Sequence, residues 1–170
     1  MHTGRIIASL LLLFIATCAV CAMQEDPVPA ELRDTVLHDA ACTKADETTN
    51  ADPILSAVVI RASGKEMGTI IEVQGGCHCQ GTNCDSVVYL RNGDKYRLAL
   101  REKYASLHPM KIVKRGMPSL TGKFEVSGEK AETTVYDWDG KDYRPSLCAT
   151  VTRRGKLPPA IAQHPCKAGH

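Results

Sequence analysis

Nine residues near the middle of the chain carry its densest chemistry: Gly76-Cys77-His78-Cys79-Gln80-Gly81-Thr82-Asn83-Cys84. Three thiols and an imidazole so close together could hold zinc or copper, exchange disulfides, or simply oxidise. A C-x-C step brings two thiolates to one ion less readily than the C-x₂-C of zinc knuckles. The chain also carries an export signal, so oxidation is the expected fate. Cys42, Cys77, Cys79, Cys84, Cys148 and Cys166 are therefore read as three disulfides, with no metal and no cofactor. Cys148 with Cys166 would clip a strand-poor, Pro-containing tail to the last strand. Cys79 with Cys84 would close the Gly81-Thr82-Asn83 turn, leaving Cys42 for Cys77, and exchanging the roles of Cys77 and Cys79 stays open. His78, alone in a loop, reads as an exposed side chain.

The second cluster is Asp137-Trp138-Asp139-Gly140-Lys141-Asp142, three carboxylates in six residues. Calcium loops space carboxylates two apart with Gly at the sixth position. Here Gly is fourth and Lys141 stands where a carboxylate belongs, so a hairpin turn explains the segment without an ion. No G-x-S-x-G or H-E-x-x-H occurs. His108 and His164, each followed by Pro, read as loop residues. The expectation is a chain with no catalytic residues.

Positioning these clusters falls to a single globular unit that is 44% hydrophobic and 24% charged. A net charge of +2 argues against a nucleic-acid binder. Residues 1–22 read as a signal peptide: Arg5, an apolar run Ile6–Val20, and the small-residue site Val20-Cys21-Ala22. Ile15-Ala16-Thr17-Cys18 offers a lipobox alternative, so a membrane anchor is expected only if Cys18 is lipidated. Cleavage after Ala22 leaves an even six cysteines and favours a periplasmic or secreted protein.

Residues 23–53 read as a helix plus an acidic linker, 54–148 as a β domain and 149–170 as a basic tail. Eight acids and two bases in 23–52 give −6, whereas 143–170 holds five bases and no acid. Pro29 opens the helix, Leu32, Val36 and Ala40 follow at four-residue steps, and the helix should end near Cys42. From Ile54 the pattern turns to short β-branched runs: Ile54–Arg61, Thr69–Val73, Ser86–Leu90, Lys95–Arg101, Lys111–Val113, Lys123–Val126, Thr133–Trp138 and Lys141–Arg144. The fold class is mainly β, antiparallel, built of repeated hairpins as reduced propeller-like units or a sandwich, with one N-terminal helix and disulfide stabilisation.

Self-comparison reveals a repeat. Val88 to Arg97 and Val135 to Arg144 both read V-Y-x-x-[ND]-G-x-x-Y-R, 47 residues apart. Asn92-Gly93 and Asp139-Gly140 are preferred two-residue hairpin turns. Counting outward from them pairs Tyr89 with Tyr96, Tyr136 with Tyr143, and Asp137 with Asp142, while Trp138 lies beside the second turn. Val59 to Met67, around Gly64, gives a fainter third copy.

The segment from Gly116-Met117-Pro118-Ser119-Leu120 to the Tyr136-Asp137-Trp138-Asp139-Gly140-Lys141-Asp142-Tyr143 hairpin resembles a motif of small exported bacterial proteins. Those carry G-x-P-D-L followed by Y-x-W-D-G-x-x-Y; Ser119 here replaces the Asp. The likeness covers about 30 residues and is similar in plan to FG-GAP-like propeller modules. It is also similar to periplasmic inhibitors of invertebrate-type lysozyme and to immunity lipoproteins. It implies a non-enzymatic binding protein whose partner is a cell-wall hydrolase. An envelope structural or interaction module is the alternative, and a small metal-binding or redox protein a third. If the signal-peptide reading holds, the intact mass of the exported protein lacks residues 1–22. Diacylglycerol on Cys18 would contradict it.

Overall fold

The computed structural model describes residues 27–39 and 53–166. The expected signal segment, Cys18, the expected helix end near Cys42 and the linker up to Asp52 lie outside them. One helix, α1 (Ala30–Asp39), precedes ten strands. These are β1 (Ile54–Ala62), β2 (Lys65–Gln74), β3 (Cys79–Gln80), β4 (Asn83–Asn92), β5 (Lys95–Tyr104), β6 (Ser106–Lys114), β7 (Met117–Glu125), β8 (Lys130–Trp138), β9 (Tyr143–Arg154) and β10 (Leu157–His164). All pairings are antiparallel, and they form two five-stranded sheets. In the first sheet β1, β2 and β4 follow in order, with β3 and β5 also pairing with β4; the second runs β10-β9-β8-β7-β6. The outcome is a sandwich of two meanders rather than a ring of blades.

The core between the sheets draws Ile60, Ile70, Val88 and Leu90 from the first and Leu107, Leu120, Tyr136 and Tyr143 from the second. The other face of the first sheet carries Ala57, Ile71, Val73, Val87 and Tyr89, packed against Leu32 and Val36 of α1. A ten-residue helix is marginal alone; here each of its two buried apolar side chains contributes about 1.5–3 kcal/mol. The carbonyl of Pro29, just ahead of α1, accepts from the Leu32 and Arg33 amides at 2.9 and 3.2 Å. Strand β4 is consequently covered on both faces, and Asn83 through Leu90 are all buried.

The chain changes sheets at Ala105, whose amide donates to Lys123 O at 2.8 Å. Two devices fix this corner. The ring of Tyr104 lies over Gly122, where an added Cβ would come within 2.5 Å of it. The Tyr104 hydroxyl shares a hydrogen bond with that of Tyr136, their rings edge to face at 6.3 Å. Nearby, the Asn83 side chain pairs with the Glu125 backbone like a strand, accepting from its N–H at 2.7 Å and donating to its C=O at 2.8 Å.

The expected runs through Trp138 fall in strands, with only Val126 lying one residue past β7; the last run begins in a loop, since β9 starts at Tyr143. Both hairpin registers differ from expectation. The first turn is Gly93-Asp94, since Asn92 pairs with Lys95. Glycine at the first central position, φ 64°, suits a II′-type turn. Counting out from that turn sets Tyr96 opposite Arg91 and Tyr89 opposite Leu98, and a bulge between Tyr89 and Val88 moves Val88 to Leu100. In the second hairpin Trp138 pairs with Tyr143, Asp137 with Arg144 and Tyr136 with Pro145.

Segment 149–170, expected to be strand-poor, holds the end of β9 and all of β10. Pro158 and Pro159 are tolerated because β10 is an edge strand, where a missing N–H disrupts little. His108 and His164 likewise lie in β6 and β10 rather than in loops. Cys79–Cys84 and Cys148–Cys166 are disulfides as expected. Cys77 is also disulfide-bonded, and Cys42, its expected partner, lies outside the described residues. Gly122→Ala should destabilise the fold by about 1–3 kcal/mol through overpacking against Tyr104. Melting equal to wild type would remove this account of the corner.

Candidate functional site

Four hairpin tips gather at one end of the sandwich: Ser63-Gly64, Gly93-Asp94, Arg115-Gly116 and the loop Asp139–Asp142. Glu66 beside the first accepts from Tyr96 OH at 3.4 Å, and Arg97 beside the second reaches Asp142 at 2.8 Å. The third reaches the fourth through Arg115, whose guanidinium donates to Asp139 O.

The loop Asp139–Asp142 is longer than the two-residue turn expected for Asp139-Gly140, because Asp139 captures its own backbone. Its Oδ1 accepts from the amides of Lys141 and Asp142, both at 2.8 Å, and its N–H donates to Asp142 O at 3.1 Å. Gly140 takes φ 111°, which a side chain would strain. The amides of Asp142 and Lys141, with Arg144 behind them, hold the Asp139 carboxyl at about 2, below its ordinary 3.8.

Arg97 and Arg144 occupy the same position in the two repeat copies, and both close on Asp142. Arg97 donates to Oδ1 at 2.8 Å and also to Lys141 O, while Arg144 meets Oδ2 at 3.4 Å and Asp139 Oδ2 at 3.3 Å. The Arg97 guanidinium stands 5.6 Å over the Trp138 ring, which meets Tyr143 edge to face at 5.4 Å. Tyr143 OH donates to Pro118 O at 3.0 Å. Burial pushes the Tyr136 and Tyr143 phenols far up, so both stay neutral. The like-charge pairing of Asp137 with Asp142 does not form; Asp137 accepts from the buried Ser119 hydroxyl at 2.5 Å. Lys141 is left exposed at the tip. Beside it runs an open groove of about 310 Å³, lined by Lys114, Arg115, Asp137, Asp139 and Arg144 among others.

The cysteine cluster lies elsewhere. His78, expected to be exposed, is only 6% accessible. Its Nδ1 is 3.2 Å from Asp85 Oδ2, while Lys103 Nζ is 3.1 Å from Asp85 Oδ1 and 3.0 Å from His78 O. The short 3₁₀ turn Gly76–His78 is latched to β4 and β5 by this set. A His–Asp pair invites comparison with hydrolase dyads, but Ser86, the neighbour of Asp85 on β4, points to the opposite face. Ser86 Oγ instead donates to Cys84 O at 3.5 Å. Among the described residues no three His, Cys, Asp or Glu side chains are arranged to hold a metal ion, and no helix is long and apolar enough to cross a membrane. The disulfides point to an oxidising environment outside the cytoplasm.

Compared with known protein families, curated proteins and solved structures, the chain shows no match. The roles of Arg115 and Asn83 left no signal in the sequence; that of Arg97 did, as the closing Tyr-Arg of the repeat. Nuclear magnetic resonance should find the Asp139 carboxyl titrating near pH 2. Because the folded value is depressed, its support of the loop is complete above about pH 4 and lost as pH falls through about 2. A midpoint near 4 would contradict the capture of Lys141 and Asp142.

Proposed function

We propose that this is an exported, periplasmic or secreted, non-enzymatic binding protein. Its loop end occupies the active-site cleft of a cell-wall hydrolase of the lysozyme type. The observation that carries the reading is the locking of Asp139–Asp142 before any partner arrives. The loop is held from the first sheet by Arg97, from the neighbouring hairpin by Arg115, and internally by Asp139. A loop already fixed loses little entropy on binding, so its contacts convert more fully into affinity. The exposed Lys141 at the tip supplies positive charge. Glycosidases of this kind line their clefts with a pair of carboxylates, so the charges are complementary.

The test is titration calorimetry of the mature protein against a panel of muramidases, with residual hydrolase activity measured in parallel. One member should bind stoichiometrically and lose activity. Lys141→Glu should weaken that complex at least about 30-fold without moving the melting temperature. If the whole panel is ignored, the inhibitor reading fails and an envelope interaction module takes its place.

A further inference from the structure

Sheet edges are templates for pairing with other chains, and proteins guard them with charges, prolines and bulges. Two outer strands here are guarded along their length. β5 carries Lys95, Arg97, Arg101 and Lys103; β6 carries Pro109, Lys111 and Lys114. β1 has Arg61 beside a bulge only at its end, but the side chains of its uncharged Ile54–Ile60 are mostly packed, Leu55 and Ala57 with the α1 cluster and Val58 and Ile60 with the core. Strand β10 is guarded only in its first half, by Pro158, Pro159 and an irregularity between Leu157 and Ala160. The following Ala160–His164 lie in regular register with β9, from Thr152 to Cys148, and contain no Pro, Lys, Arg, Asp or Glu.

This half-strand is held in place, yet its side chains are left outside. His164 Nε2 sits 3.0 Å from Glu132 Oε2, and the Cys148–Cys166 disulfide pins the chain just beyond. All eight side chains of β10 are nonetheless exposed, with Leu157 and Ile161 at 67% and 66%. Ile161 pairs with Val151 and Val151 with Ala131, on the face turned away from the first sheet; Leu147, 41% exposed, shares that face. The corresponding face of the first sheet is covered by α1.

We propose that Ala160–His164 pairs antiparallel with the same segment of a second copy of this chain. Two five-stranded sheets then join into one of ten strands, and about a two-fold axis at Ala162 each Ile161 lies opposite Gln163 of the second copy. The segment suits its own copy: it is uncharged, and small Ala160 and Ala162 alternate with Ile161. Charge also selects the direction. Arg153, Arg154 and Lys156 surround the β9–β10 turn, and parallel pairing would set the two turns side by side. Antiparallel pairing about residue 162 separates them by roughly 45 Å at about 3.3 Å per residue, several screening lengths of about 8 Å. The contact is thus isologous and closed. It is independent of the loop end, so hydrolase binding and self-pairing can fail separately.

Sedimentation velocity of the oxidised mature protein, from about 5 to 200 µM, tests the proposal. Wild type should show a concentration-dependent dimer. Ile161→Lys and Ala162→Lys, both at exposed positions, should each weaken it at least about 10-fold with unchanged melting. Amide exchange of Ala160–Gln163 should slow as wild-type concentration rises. A wild-type monomer throughout the range, or dimers that persist in both variants, would overturn the proposal. Exchange in this segment that ignores concentration while a dimer forms would do the same.

Discussion

Strand β4 has no face left for water, and most of the structure follows from that constraint. Val88 and Leu90 enter the core between the sheets while Val87 and Tyr89 lie under α1. A strand covered on both sides needs a layer on each. One layer is supplied by a helix too short to stand alone, and the other by the second meander. The polar residues at its start are satisfied rather than exposed: Asp85 by His78 and Lys103, and Asn83 by the Glu125 backbone. A buried polar group left unpaired costs about 1–3 kcal/mol, so these contacts hold the start of β4 to one geometry.

The sheets are joined by a chain that scarcely turns. Only Ala105 separates β5 from β6, so the angle between the sheets rests on what surrounds that residue. The fit of Tyr104 over Gly122 and its hydroxyl contact with Tyr136 turn a flexible corner into a fixed one. At the opposite end the tips are bound by arginines rather than by packing. The polar loop end therefore owes its shape to the same sandwich that the buried corner secures.

Much of this fold was legible in the residues. Leu32 and Val36 at a four-residue step marked the buried stripe of α1, and β-branched runs between Gly and Pro marked the strands. Cysteine spacing found Cys79–Cys84 and Cys148–Cys166. Registers were not legible, because they depend on where a glycine falls within its turn and on a side chain competing for the backbone. Gly93 took the first central position, and the Asp139 carboxylate stretched a two-residue turn to four. Strand β10 was hidden by its two prolines, which an edge tolerates and a central strand does not. The repeat was real as a pattern but not as an environment. Tyr89 faces α1 whereas Tyr136 faces the other sheet, and the copies meet through Arg97, which reaches Asp142, Lys141 O and the Trp138 ring, and through Val88 and Leu90 in the shared core.

A doubly covered strand thus carries a loop end whose conformation is set in advance, and that is what recommends the end as a binding surface. Native-state hydrogen exchange, residue by residue, tests the claim most directly. The amides of Val87–Leu90 should exchange only through global unfolding, and those of Lys141 and Asp142, which donate to Asp139, should be protected well above the rate of an unstructured peptide. Free exchange of Lys141 and Asp142 while β4 stays protected would show a loop that is not set in advance, and would contradict the account.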